Sequence, residues 1–212
     1  MILGGIGAAT YLPVLLVLGF SPRTTDIGYQ PEQPVEFSHA VHVGEQGMDC
    51  RYCHTTVEDS SFAAIPPTQT CTNCHAPEGE GPGIHQASAK LEPVHESART
   101  GEPIDWVKVH DMAGYAYFDH AAHVNKGIGC VTCHGRVDQM EEVYQAETMS
   151  MAWCIDCHRE PEQHLRPLDK VTDMTWSPED HGMTQEELGR ELKELYNIHD
   201  VEYMTNCSTC HR

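Results

Sequence analysis

Apolar positions are unevenly spread along the 212-residue chain. Residues 1–22 carry no charge, and the run from Ile2 to Phe20 is almost entirely apolar. At 1.5 Å per residue such a run can cross a hydrocarbon layer of about 30 Å, so the pattern predicts one transmembrane helix over 1–22. A secretory signal peptide is the competing reading. It is disfavoured because no basic residue precedes the run, no A-x-A site stands before Arg23, and Pro13 lies inside it. The expectation is an uncleaved anchor followed by a linker over 23–35. Beyond it, apolar residues thin out and strand signals are weak. Two segments echo each other at an offset of 81: Phe37-Ser38-His39-Ala40-Val41-His42-Val43 and Phe118-Asp119-His120-Ala121-Ala122-His123-Val124. Between them the chain is rich in Gly, Pro and Glu, and from Ala76 to Asp105 it predicts a long irregular surface excursion. Near the end, Thr184-Gln185-Glu186-Glu187 forms a capping box ahead of Leu188, Leu192 and Leu195, which predicts one amphipathic helix packed on the body of the domain or its last prosthetic group.

Composition changes the picture in two ways. With 40% apolar and 7% aromatic residues, the chain has little material for an ordinary core, so something other than side chains must fill the interior. The 32 acidic residues against 13 basic ones give a formal charge of -19, which excludes general affinity for nucleic acid or anionic membrane surfaces. A charged soluble partner is expected to be basic.

The cysteines say what fills the core. All ten fall into five pairs at one spacing, each followed at once by histidine: Cys50-Cys53-His54, Cys71-Cys74-His75, Cys130-Cys133-His134, Cys154-Cys157-His158 and Cys207-Cys210-His211. Two thiols three positions apart can each form a thioether to a porphyrin vinyl group, and the next histidine can reach the iron as proximal ligand. Five covalently bound c-type haems are therefore expected. Zinc takes cysteine pairs two at a time and does not require histidine after every second cysteine. Disulfides inside C-x-x-C would close only tiny loops and leave the histidines unexplained. A thioredoxin-like redox pair calls for one motif, not five. Covalent haem attachment outside the cytoplasmic membrane places the bulk of the chain on the periplasmic side of a bacterial membrane, with a single-pass N-terminal anchor.

First cysteines fall at 50, 71, 130, 154 and 207, so short and long gaps alternate. The pattern predicts a multihaem cytochrome c domain over 36–212, mostly α and irregular. It divides into a dihaem unit over 36–75, an irregular surface loop over 76–116, a second dihaem unit over 117–158, and a C-terminal helix with a fifth haem over 159–212. In each unit H-x-x-H sets two imidazoles on one side of a helical turn. His39, His42, His120 and His123 are the candidate distal ligands. For the fifth iron the candidates are His110 and Met151, with Met149 behind them; a methionine ligand would raise that haem's potential.

The F-S-H-x-x-H segment, Cys50-Arg51-Tyr52-Cys53-His54, Ile65-Pro66-Pro67-Thr68-Gln69-Thr70-Cys71, Asn125-Lys126-Gly127-Ile128-Gly129-Cys130-Val131-Thr132-Cys133-His134-Gly135 and Cys207-Ser208-Thr209-Cys210-His211-Arg212 follow the N-terminal span. Together they resemble the pentahaem cytochrome c subunit of bacterial alternative complex III over essentially the whole chain. That resemblance implies a membrane complex that oxidises quinol and delivers electrons to periplasmic acceptors. Its other members would be an iron–sulfur subunit, polytopic quinol-binding subunits and a monohaem cytochrome c, and a basic soluble carrier could also take the electrons. On this reading the chain conducts electrons and has no catalytic site of its own. The alternative is a self-contained, membrane-anchored multihaem quinol dehydrogenase. A multihaem reductase of nitrite or a similar anion is disfavoured by the acidic charge.

Overall fold

The structure, a computed structural model, describes residues 2–19 and 25–211. After α1 (Ile2–Gly19) a π-helical turn covers Ala40–Glu45. Then follow α2 (Cys50–Cys53), α3 (Thr68–Thr72), α4 (Glu92–Thr100), α5 (His120–Val124), α6 (Cys130–His134), α7 (Met151–Arg159), α8 (Gln185–Leu195), α9 (Val201–Met204) and α10 (Cys207–Cys210). Short 3-10 turns and irregular chain join them. No strand occurs among the described residues, where the bridges His75 to Gly83 and Ile128 to Leu165 stand isolated. Helices of four to eleven residues do not hold in water on propensity alone, so these depend on caps and on what they pack against. The caps are side chains at N-termini: Asp49 accepts from the Arg51 amide, Asp119 from Ala122, Ser150 from Trp153, Asp200 from Tyr203 and Asn206 from Ser208.

The N-terminal expectation falls partly outside the described residues. The 18 residues of α1 rise only about 27 Å, and among the described residues no helix is long and apolar enough to cross a membrane. Residues 1 and 20–22 of the expected 1–22 span, and residues 23–24 of the expected linker, lie outside the described residues. The side chains of α1 from Tyr11 to Leu18 are exposed.

The two units with the echoed motif differ by one residue. Cys50 lies thirteen positions after Phe37, whereas Cys130 lies twelve after Phe118. The shorter version folds as the α-helical α5; the longer one takes up its extra residue as a π-helical turn, the usual way a helix absorbs a single insertion. The units hold one another reciprocally. The Ala121 amide donates to the Ser60 carbonyl at 3.1 Å, and the Ala40 amide donates to the Met140 carbonyl at 3.0 Å. Ala121 and Ala40 are equivalent positions, and Ser60 and Met140 each lie ten residues after the first cysteine of their unit. Each histidine turn therefore rests on the loop of the other unit. Gly44 makes this approach possible, because a Cβ there would strike the Asp138 backbone carbonyl.

The segment expected to be irregular, 76–105, contains α4. Its Val94 and Ser97 are buried, and Gly101, at φ +77°, ends it in the left-handed conformation. The helix packs on α3, where the Thr68 and Ser97 hydroxyls share a 2.6 Å hydrogen bond. Its buried face is too narrow, two residues in nine and one of them polar, to stand out from a Gly- and Pro-rich background.

The capping box at Thr184 and Glu187 forms, and α8 buries Leu188 and Leu192 against Leu165, with Trp176, Tyr196 and Ile198 around them. Leu195 instead is 64% exposed, so the expected stripe is one residue shorter than the spacing suggested. This cluster is the main side-chain core among the described residues. The accessible surface is 13801 Å², against about 9,800 Å² for a compact protein of 23.7 kDa. Part of the excess is α1; the rest reflects a polypeptide that does not close on its own side chains, as the thin apolar composition anticipates.

Candidate functional site

Each C-x-x-C pair lies on a helical turn, which puts the two thiols on one face. The same turn fixes the following histidine: the His54, His75 and His211 amides each donate to the carbonyl of the first cysteine of their motif at 2.9 Å. None of the five pairs closes as a disulfide. Burial and neighbouring cysteines push Cys133 up to about 12 and Cys157 to about 11.

The histidines are oriented by backbone carbonyls. Nδ1 lies within hydrogen-bonding distance of a carbonyl oxygen in His54 (Ala64, 2.8 Å), His75 (Ile84, 2.7 Å), His158 (Met204, 2.9 Å) and His211 (Tyr115, 2.9 Å). The same holds for His42 (Ser38, 2.7 Å), His120 (Ser61, 2.9 Å) and His123 (Asp119, 2.7 Å). An Nδ1–H engaged this way leaves Nε2 as the lone-pair nitrogen and fixes the ring, the arrangement metal-binding histidines use. His39 differs, since its Nδ1 is buried without a partner.

Three imidazole pairs face one another at matching separations. Ring centres are 6.1 Å apart for His42 and His75, 6.1 Å for His123 and His158, and 6.4 Å for His120 and His134, whose planes lie within 11°. Two imidazoles on opposite sides of one metal, with bonds of about 2 Å, hold their ring centres about 6 Å apart. Phe37 and Phe118 position these rings alike, each stacking on the second histidine of its turn and meeting the first edge-on. His39 is depressed to about 4 by burial and by the nearby His54 and His42, so it is neutral at pH 7 and able to ligate. His134, lowered to about 3 by enclosure and by His110 and His120, is also neutral. Among the described residues no three His, Cys, Asp or Glu side chains converge as a protein-only ion site requires. A haem iron asks for only two. These residues fit haem c, with paired cysteines for the vinyl groups and facing imidazoles for the iron.

The fifth motif stands apart. His110 lies edge-on to His134, ring centres 4.5 Å apart, and its Nε2 is buried without a partner. It is thus beside the third motif, while His211 is next to Tyr115. Met151 is 62% exposed, and Met149 adopts a left-handed backbone at φ 47°. Of the other histidines, His95 reaches the His75 carbonyl through Nε2 at 3.1 Å, and His181 and His199 lie against Trp176 and Tyr203.

Neighbouring thiols give the motifs a spatial order. Cys71 is raised by burial and by nearby Cys53, and Tyr52 accepts from Asn73 at 3.1 Å, so the second motif adjoins the first. Cys50 and Cys130 lie close enough to interact electrostatically, joining first to third. Cys133 feels Cys157 and Cys154, joining third to fourth. Cys154 feels Cys210, and α7 packs on α9, joining fourth to fifth. The order is second, first, third, fourth, fifth. Sequence spacing could not supply it, because it depends on the reciprocal docking of the two units. The carbonyls of Ala64, Ile84, Ser61, Met204 and Tyr115 carried no sequence signal either, since every residue has one.

Comparison with known proteins agrees with this chemistry. A multihaem cytochrome c subunit of a menaquinone reductase from Nitratidesulfovibrio vulgaris is 32% identical over 182 residues, covering 75% of this chain and 84% of the relative. The profile of cytochrome c7 and related cytochromes c matches residues 35–92 and 116–212. These matched stretches take in all five C-x-x-C-H motifs and both H-x-x-H turns, and the chain accordingly belongs to the family of cytochrome c7 and related cytochromes c.

Proposed function

We propose that this chain is the five-haem electron-transfer subunit of a membrane-bound quinol oxidoreductase of the alternative complex III type, with its haem domain on the periplasmic side. When bound, haem iron takes up and releases single electrons. The residues hold five such groups in one file: cysteine pairs fix each ring, and carbonyl-anchored histidines fix each axial direction. His39, His42, His120 and His123 are the distal ligands of the first, second, third and fourth motifs, and each unit ligates its own two haems. The observation that carries this reading is the set of three facing imidazole pairs at 6.1–6.4 Å. The exposed apolar side chains of α1 attach the chain to the membrane part of the complex. There the polytopic subunits handle quinol beside the iron–sulfur subunit, and a monohaem cytochrome c or basic carrier meets the acidic surface.

The relative named as part of a menaquinone reductase favours a second reading, in which the same file delivers electrons to quinone. Anaerobic addition of a menaquinol analogue to the purified complex tests both. The proposal expects reduced-cytochrome absorbance to appear with quinol. A quinone-site inhibitor should abolish it without altering the haem spectrum. Reoxidation of pre-reduced complex by menaquinone, with no reduction by quinol, supports the second reading. A haem spectrum that itself shifts with the inhibitor points to a self-contained quinol dehydrogenase.

A further inference from the structure

The two units are built alike, yet the position before the first cysteine differs: Asp49 precedes Cys50 and Gly129 precedes Cys130. Asp49 holds a charged carboxylate beside Cys50, pulled down to about 2 by hydrogen bonds from Arg51 and Thr172. Arg51 shares its charge with Glu58 as well, at 3.3 Å, so the local balance stays negative. At Gly129 the reverse holds. The Arg166 guanidinium lies on the space a Cβ would fill, next to Cys130, and over the Trp176 ring at 5.4 Å. Its Nη1 donates to the Asp173 carbonyl at 3.0 Å and the Lys170 carbonyl at 3.4 Å, and its Nε is buried without a partner. The Asp173 carboxylate, a neighbouring negative charge, accepts instead from the Thr175 and Trp176 amides. Of the six described arginines, five pair with a carboxylate and Arg166 does not. An unpaired, partly desolvated cation is costly, and its field reaches far because little water screens it.

We propose that Arg166 is a positioning charge that sets the redox level of the haem on Cys130, Cys133 and His134, holding it above its counterpart on Cys50, Cys53 and His54. The inference rests on the five-haem reading and adds to it a step in potential where the two units meet. A nearby positive charge favours the reduced iron, which carries one more electron; the Asp49 carboxylate favours the oxidised iron of the other site. One unit charge at about 10 Å and an effective dielectric of 20 changes an equilibrium about tenfold, which is about 59 mV for one electron.

The test is a spectroelectrochemical titration of the intact complex carrying Arg166→Gln, Arg166→Lys or Asp49→Asn, with haem counted in each. Arg166→Gln should lower one of five components about tenfold in its reduced-to-oxidised ratio, Arg166→Lys should restore most of it, and Asp49→Asn should raise a different component. Five unchanged midpoints in fully loaded Arg166→Gln overturn the proposal. If that variant does not load fully, Asp49→Asn decides: an upward shift of one component supports the proposal and no shift overturns it. A wild-type haem count other than five contradicts the five-haem reading instead and is measured separately.

Discussion

Two imidazoles approach His134, and the structure distinguishes their roles. The His120 ring lies 6.4 Å away and within 11° of parallel, a separation that admits a metal between them. The His110 ring lies 4.5 Å away at 80°, which does not. His120→Ala should therefore leave one iron in five without its distal ligand, so about a fifth of the haem becomes high-spin while covalent attachment persists through Cys130 and Cys133. The same variant removes the 2.9 Å bond from His120 to Ser61, which ties the second unit to the first, at a cost of about 1 kcal/mol. His39→Ala should also free one iron but spare that cost, because His39 Nδ1 makes no bond. His110→Ala should leave the spin state of the third site unchanged. Low-temperature EPR of the oxidised complex, normalised to haem by the alkaline pyridine spectrum, reads all three variants. A His120→Ala protein with no more high-spin haem than the wild type would refute the pairing.

Other outcomes follow from the same geometry. Hydrogen bonds from Arg51 and Thr172 hold the Asp49 carboxyl at about 2 against its ordinary 3.8, so between these values the unfolded chain binds a proton that the folded chain does not. Its stabilising effect is complete above pH 3.8 and is lost as pH falls through the folded value; thermal melts of the complex should decline from pH 4 toward pH 2, and less so with Asp49→Asn. Leu192→Ala should destabilise the C-terminal cluster by about 2–5 kcal/mol in denaturant titrations, whereas Leu195→Ala, at a 64% exposed site, should change little. Thr184→Ala removes the capping box of α8 and should cost about 1 kcal/mol in the same assay.

The chemistry could be read from the chain because covalent attachment demands residues at fixed spacing. C-x-x-C-H fits one helical turn and H-x-x-H fits another, so local sequence carries both. What escaped was non-local or chemically anonymous. The His54 ring is set by the Ala64 carbonyl and the His158 ring by Met204, contacts any residue could make. The helix over Glu92–Thr100 was hidden by Pro93 and a buried face of only Val94 and Ser97, although Pro suits a first turn and Gly101 ends it. Arg166 gave no sign in sequence, since its meaning depends on Gly129 lying beneath it. At the N-terminus the apolar run did form a helix, whose 18 residues rise about 27 Å against a hydrocarbon thickness of about 30 Å, and residues 20–22 of the expected span lie outside the described residues.

The central claim is that ten cysteines carry five haems in this chain. An intact mass of the chain isolated from its native complex, measured after denaturation in an alkylating reagent, tests it most directly. The account predicts the polypeptide plus five haems and no alkylated cysteine. A smaller number of haems with matching alkylated thiols, or a polypeptide mass reduced by disulfide formation, would contradict it.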